Sequence, residues 1–545
     1  MDNRRLIILL IFSFSVVMLW DAWQKQTAAL HSATIASISA QTTVPTTPGA
    51  VPAVTQSASP ALGQTSVPVV ATSQVYAGPI TTVRTDLFLA QIAAQGGDLI
   101  KLELLGHPDS HDKSRPFVLF DAGERHVYLG QSGVIGSDYP NHRTVWSGAG
   151  GERTLASGDS EIKVQLTATG ANGVVVAKTY TFTRGSYQVR LEQSGIAQGT
   201  HVYHQITRDG NPAEGKDTSM AMGVSTFTGP AVFTEKAKFQ KVDFADIEKG
   251  GAKYASKSND GWLAMIQHYF VSAWLPLADV EREFYMRKAG DNLYSVGVIT
   301  PVGEDGKSAM TLYAGPQEQD KLEAIAPGLQ LVVDYGWLTV IAAPLFWVLE
   351  LIHKLTGNWG WAIIGLTVLL KAIFFPLSAA SYKSMAKMRV LTPKLAKLKE
   401  TFGDDKQRLN QEMMELYKRE KVNPLGGCLP VLVQIPVFIA LYWVLLGTVE
   451  MRNAPWLGWI VDLSVKDPYF VLPIIMGVTQ LVMTKLNPTP PDPIQAKVMM
   501  MMPIVFTVMF LFFPAGLVLY WTVNNLLSMA QQWQITRAVE GGQLS

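Results

Sequence analysis

The sequence predicts a membrane protein with a five-span α-helical core, a further span at the N-terminus, and a large β-sandwich between them outside the cytoplasm. Three observations carry this. Charged residues make up 16% of the chain, against about 25% in soluble proteins. Long apolar runs crowd its C-terminal part. The middle of the chain instead shows short segments of alternating polarity broken by glycine turns, the signature of hairpins. Net charge is +1, so bulk charge points to no particular partner and no DNA partner is expected. The single cysteine, Cys428, excludes an intrachain disulfide.

The first element is the run Leu6–Leu19, preceded by Arg4 and Arg5 and followed by Trp20 and Trp23. Such a run serves either as a cleaved signal peptide or as an anchor. No small-x-small site follows directly, and the tryptophans have the character of interface anchors. Residues 1–23 are therefore expected to stay as a transmembrane anchor with the N-terminus in the cytoplasm. Residues 26–83 lack Asp, Glu, Lys and Arg altogether. A segment so poor in core-forming side chains reads as a disordered linker, set at 24–75.

Residues 76–330 are expected to form the β domain. In "KTYTFTRGSYQVRLEQ", Tyr180 and Phe182 alternate with threonines, Arg184-Gly185-Ser186 turns the chain, and Tyr187, Val189 and Leu191 resume the alternation. Repeated over so long a segment, this pattern predicts a sandwich large enough to hold together without disulfides.

Apolar runs follow at 337–352, 359–377, 429–449, 469–484, 499–513 and 517–533. Between the second and third, residues 383–421 carry eleven basic and six acidic side chains, a net of +5. The positive-inside rule puts that segment in the cytoplasm, so an odd number of crossings must precede it on the way from the external β domain. The first run, with Pro344 inside and Asp334 and Glu350 at its ends, is expected to lie in the interface as an amphipathic helix, 331–354. Five spans then form the core, 355–535, and with the anchor make six, both termini inside. The basic segment itself predicts a helical hairpin, from the spacing of Met385, Met388, Leu391, Leu395 and Leu398. Gly403 would end its first helix and Asp404 or Asp405 would start the second. Lys387, Arg389, Lys406 and Arg408 give it a basic surface, suited to lipid headgroups, RNA or nascent chain, or simply to water. A short tail, 536–545, completes the chain.

The spans carry Thr367, Lys371, Gln434, Gln480, Thr507, Thr522, Asn524 and Asn525. Each needs a partner or water inside a bilayer. Thr367 and Lys371, four residues apart, share a helix face. Two readings stand side by side: a wet cavity whose cation attracts acidic segments, or helix-bridging amides with a lysine that snorkels to the cytoplasmic surface. Several functions are disfavoured. All nine histidines precede the second span, which argues against an intramembrane serine protease with a histidine base. No phosphate-binding G-x-x-x-x-G-K-[ST] occurs, and no acid within the spans is placed to relay protons. Neither a cofactor nor a metal is expected, and the chain is read as not being an enzyme.

The stretches "DYGWL" (334–338), "GNWGWAI" (357–363), "SMAKMR" (384–389), "GDDKQR" (403–408), "EKVNPLGGCLP" (420–430) and "FPAGLVLYW" (513–521), in this order and spacing, resemble the YidC family of bacterial membrane protein insertases, of the long Gram-negative type. The resemblance runs end to end. It implies an inner-membrane location, a periplasmic β-supersandwich, and a hydrophilic groove open to cytoplasm and lipid. Lys371 matches a positively charged groove position that is usually arginine in this type. Thr367 matches a groove position one turn earlier, and Tyr520 and Trp521 match a paired aromatic site that meets substrate, where the second residue is commonly Tyr. Gln434, Thr507 and Asn524 complete the expected groove. The implied partners are nascent membrane proteins, membrane lipids, and the Sec translocon with its accessory subunits. The tail has one Arg and one Glu after Trp533, unlike the long basic tails that hold ribosomes, so ribosome contact would fall to the hairpin. The alternatives are a membrane chaperone without autonomous insertion, or a small-solute transporter.

Overall fold

The computed structural model describes residues 67, 68, 76 and 78–540, except 110–111, 124–125, 172, 211–225, 278–279, 403–404, 421–428 and 488–492. The expected anchor, nearly all of the linker, Gly403, Asp404, Cys428 and the last five residues lie outside the described residues.

Residues Ile80 to Pro316 build two antiparallel-rich sheets, of ten and eight strands among the described residues. The expected hairpin is present: Val175–Thr183 pairs with Gln188–Ser194, Phe182 opposite Val189 and Tyr180 opposite Leu191. Gly185 turns the chain at φ +70°, a conformation that glycine adopts without steric cost. Period-2 alternation sends Val83, Phe88, Leu102 and Leu119 of one sheet against Val164, Tyr180, Leu191, Leu263 and Met310 of the other, forming the sandwich core. The eight-stranded sheet is apolar on both faces. Trp262, Ala264 and Ile266 point away from that core and are covered by Leu322, Leu329 and Val332, from the helix Gln319–Ile325 and the turn after it.

The C-terminal half is helical. Its helices are α1 (Thr339–Thr356), α2 (Trp359–Ile373), α3 (Phe375–Phe402), α4 (Lys406–Arg419), α5 (Leu429–Gly447), α6 (Val471–Leu486), α7 (Pro493–Phe510) and α8 (Ala515–Glu540). Several boundaries differ from those expected. The run 359–377 is not one rod: α2 and α3 meet at an angle of 66°. Pro376, second in α3, has no N–H to continue the ladder of α2. The basic hairpin begins eight residues earlier than expected and its first arm runs unbroken through Pro393. Asp405 starts the second arm, its carboxylate accepting from the backbone N–H groups of Gln407 and Arg408 at 3.1 and 3.0 Å. Leu391, Leu395 and Leu416 are buried. The last helix reaches Glu540, so the first half of the expected tail is helical.

The helix α1 is long and apolar enough to cross a membrane on its own. Its residues nevertheless divide into two faces. Ala342, Leu345, Phe346 and Leu349, at helical spacing, are buried, while Val340, Trp347, Leu351 and Leu355 are exposed. Lys354 ties its end to the β domain through Asp320 at 3.1 Å.

The β domain is fastened to the end of α5 and to the segment that follows it. His268 Nε2–H donates to the Leu446 carbonyl at 2.9 Å. Lys113 pairs with Asp462 at 3.4 Å. The Arg452 guanidinium donates to the Pro108 carbonyl and stands over the rings of Phe270 and Phe117 at 5.5 and 5.7 Å, a cation–π contact strengthened by exclusion of water. In the same segment, Trp456 lies so close to Gly360 that a Cβ there would sit 2.0 Å from its ring and 2.6 Å from its own Cβ.

Two predictions arise here. Gly360→Ala must push Trp456 away, so a loss of about 1–3 kcal/mol is expected, read as a lower unfolding temperature in detergent. Burial pushes His268 and His107 down to about 4, and His142 and His204 to about 3. The folded protein then holds fewer protons than the unfolded chain between those values and about 6.5. Stability from these groups is present above about 6.5 and falls as pH drops toward 4. Thermal melts should decline over that window, and His268→Gln, which keeps an N–H donor for Leu446, should flatten part of the decline.

Candidate functional site

Each core helix divides along its length. In α2, buried Ala362, Ile363 and Leu366 give way to Thr367 and Lys371. In α5, which runs the other way, Gln434 comes first and Ala440, Leu441, Val444 and Leu445 follow. In α8, apolar Leu517, Val518 and Leu519 precede Tyr520, Asn524 and Ser528. The apolar halves share one core with the turn that receives the β domain. The polar halves cluster toward the hairpin. One end of the bundle is thus dry and closed, and the other holds its polar side chains.

Lys371 is only 8% exposed. Its Nζ donates to Ser528 Oγ at 2.6 Å, and Ser528 in turn donates to the Asn524 carbonyl at 2.7 Å. Tyr382 of α3, also buried, lies against the same hydroxyl. Among the described residues no carboxylate pairs with Lys371. Nearby, Gln434 Nε2 donates to Tyr520 Oη at 3.0 Å and to Asn524 Oδ1 at 2.7 Å. Lys371, Gln434 and Ser378 line a small, partly open pocket with the apolar side chains Leu370, Phe374, Leu377, Val433 and Val437.

The other expected groove residues stand apart from this pocket. The Thr367 hydroxyl is buried and donates to the Ile363 carbonyl of its own helix at 2.7 Å. Thr507 likewise bonds Pro503 at 2.7 Å, and its side chain fills the space beside Gly477 that any Cβ would occupy. Trp521 turns toward α6, its indole N–H 3.4 Å from Gln480 Oε1, with its ring edge-on to Phe438 at 4.7 Å. In the hairpin, Arg389 donates to the Leu486 carbonyl at the C-terminus of α6, at 3.2 Å, where the helix dipole favours a cation. Lys387 is half-buried. Lys406 opens α4, and Arg408 packs its guanidinium over Phe402 at 5.0 Å. Among the described residues, no group of three or more His, Cys, Asp or Glu is placed to hold a metal.

Ser528, Tyr382 and Ser378 were not anticipated. A signal for Ser528 existed. Tyr520, Asn524 and Ser528 recur every four residues and so form one stripe on α8. Trp521 and Asn525 form another, which meets α6 through Gln480 and Thr479. Tyr382 and Ser378 lie beyond the bend at Phe374, which the apolar pattern did not reveal. Replacing Gln434 with Leu should strand the Tyr520 hydroxyl and the Asn524 amide oxygen, at a cost of about 0.6–1.7 kcal/mol, measurable as a lower unfolding temperature in detergent.

Comparison with known proteins agrees with this architecture. Residues 80–348 match the family described as the YidC periplasmic domain, and residues 351–542 match that described as 60Kd inner membrane protein. The chain is 58% identical to the membrane protein insertase YidC of Aromatoleum aromaticum and 56% identical to that of Dechloromonas aromatica, in each case over 99% of this chain and 98% of the relative. Among solved structures, an active YidC insertase with its first transmembrane domain resolved aligns at 18% identity and a TM-score of 0.39, covering 83% of this chain and 93% of that one. With both halves matched and the relatives aligned almost from end to end, the chain belongs to the YidC family of membrane protein insertases.

Proposed function

We propose that this inner-membrane insertase receives the hydrophilic flank of an incoming span in the pocket bounded by Lys371, Gln434 and Ser378, while the apolar part of that span passes to lipid along the neighbouring helices. The observation that carries the reading is the environment of Lys371, a buried cation whose acceptor is a neutral hydroxyl. A charge at the centre of a span costs about 2.5–3.5 kcal/mol on insertion scales. An ammonium already held in the pocket offsets much of that cost for an acidic flank, because charge-assisted bonds are about twice as strong as neutral ones. The core helices assist. The helix α6 has 16 residues, about 24 Å at 1.5 Å each, against a hydrocarbon thickness of about 30 Å. Short helices thin the bilayer around them, which shortens the path a flank must travel. Transfer of an apolar segment into lipid is then downhill, and no nucleotide is required.

In this reading six spans leave both termini in the cytoplasm, α1 lies on the external surface with Trp347 and Leu355 in the lipid interface, and the β domain is periplasmic. The net positive hairpin faces the side from which nascent chains arrive. It is suited to phosphates of lipid or of ribosomal RNA, with a salt dependence set by the number of contacts. Larger clients would be handled beside the Sec translocon. The test uses purified protein in liposomes without other factors and a short single-span substrate with an acidic flank, scored by protease protection. Wild type and Lys371→Arg should insert it, and Lys371→Ala should insert it less well by roughly tenfold or more. Equal insertion by all three would reduce Lys371 to a snorkelling residue. No insertion by wild type above bare liposomes would leave a chaperone that holds spans without inserting them.

A further inference from the structure

Two lysines are buried among the described residues, and their surroundings differ. Lys178, in the β domain, donates to the carbonyls of Gly96 and Ser132 at 2.9 and 3.2 Å. It stands over Trp146 at 4.4 Å and feels the charge of Asp98. Two of its donors are met by fixed backbone carbonyls, and the Asp98 carboxylate acts on it through space. Lys371 also has three N–H donors, but among the described residues the one acceptor it reaches is Ser528 Oγ. The hydrogen of that hydroxyl is committed to the Asn524 carbonyl of its own helix. Its oxygen is therefore fixed as an acceptor, pointing across from α8 to α2. Lys371 also lines the pocket, so the same side chain borders both Ser528 and the open space.

We propose that Ser528 is the resting acceptor of the groove lysine and thereby sets the charge selectivity of insertion. This rests on the reading of Lys371 given above. In the empty protein the hydroxyl holds the ammonium in place without neutralising it. A carboxylate on an incoming flank makes the stronger, charge-assisted bond and displaces Ser528. A neutral flank offers only what Ser528 already provides, so it gains nothing from the lysine. A carboxylate at position 528 would occupy Lys371 permanently and remove the preference, in the way that fixed partners occupy Lys178. Ser528 acts through Lys371 and is a positioning residue.

The experiment uses full-length protein in phospholipid liposomes and two single-span substrates that differ only in whether the flank carries Asp or Ser. The quantity read is the ratio of acidic-flank to neutral-flank insertion. Ser528→Asp should lower that ratio roughly tenfold, to the value given by Lys371→Ala. Ser528→Ala, which removes the resting acceptor without supplying a charge, should hold the ratio at or above that of wild type. A merely structural role would depress insertion of both substrates together and leave the ratio unchanged in Ser528→Asp, which would overturn the proposal while a low ratio in Lys371→Ala upheld the groove reading. A ratio in Lys371→Ala equal to that of wild type would overturn the groove reading, and this proposal with it.

Discussion

The structure of the helical core depends on how an ammonium group is accommodated among apolar helices. A charge in hydrocarbon must be paired, hydrated or reached by water. Lys371 has a hydroxyl on one side and a pocket on the other, with no carboxylate pairing with it among the described residues. That choice fixes much else. The helix α8 must present Ser528 at the right height, which aligns Asn524 and Tyr520 one and two turns away on the same face. Gln434 must then come from α5 to satisfy both of them. The bend after α2 brings α3 back so that Tyr382 covers the hydroxyl. Four helices are thus held together by a polar set that an apolar core would not have required. Their polarity is tolerated because each group has a partner or borders the pocket.

Such a set is stable only if the other end of the bundle is tight. There the packing is of the opposite kind. Gly360 admits Trp456 at a distance that no Cβ allows. Asn358 holds the start of α2 and donates to the Pro455 carbonyl at 3.0 Å. Arg452, shortly before Pro455, and Leu446 at the end of α5, which accepts from His268, fasten this region to the β domain. The β domain therefore packs as a brace against the closed end of the bundle. The four histidines pushed down by burial make that brace sensitive to acid on the side where they lie.

How much of this could be read from the sequence depended on the range of the interaction. Alternation in "KTYTFTRGSYQVRLEQ" specified a hairpin because strand period and turn chemistry are local, and Gly185 sits at the left-handed turn position it suits. The start of the hairpin's second arm at Asp405 was legible for the same reason, since a cap is made within three residues. The break between α2 and α3 was less legible. Phe374, Phe375 and Leu377 continue the apolar run, and Pro376 alone marks the bend. The polar set was half legible. Residue type singled out Lys371, Gln434 and Asn524, and the family resemblance added Tyr520, but helical spacing grouped Thr367 with Lys371 whereas the Thr367 hydroxyl is satisfied by Ile363. Ser528 carried no signal as a residue type. Its importance comes from the crossing of α8 and α2, 157 residues apart, and only the four-residue rhythm from Tyr520 hinted at it.

The lengthwise division of the helices also constrains what the protein can do. A pore or an alternating transporter needs polar groups, or the capacity to expose them, along the whole path across the bilayer. Here α2, α5 and α8 are polar on the hairpin side and packed with Ala, Leu and Val on the other. Beyond Lys371 the helices are packed shut at Leu366, Ala440 and Leu517, all 1% exposed or less. In the proposed reading, a flank in the pocket advances only part-way before its charge meets Lys371, and the exit for an attached apolar segment is sideways between the helices. A polar pocket at one end only, and an α6 of 16 residues, are the features that support lateral release over transport in that reading.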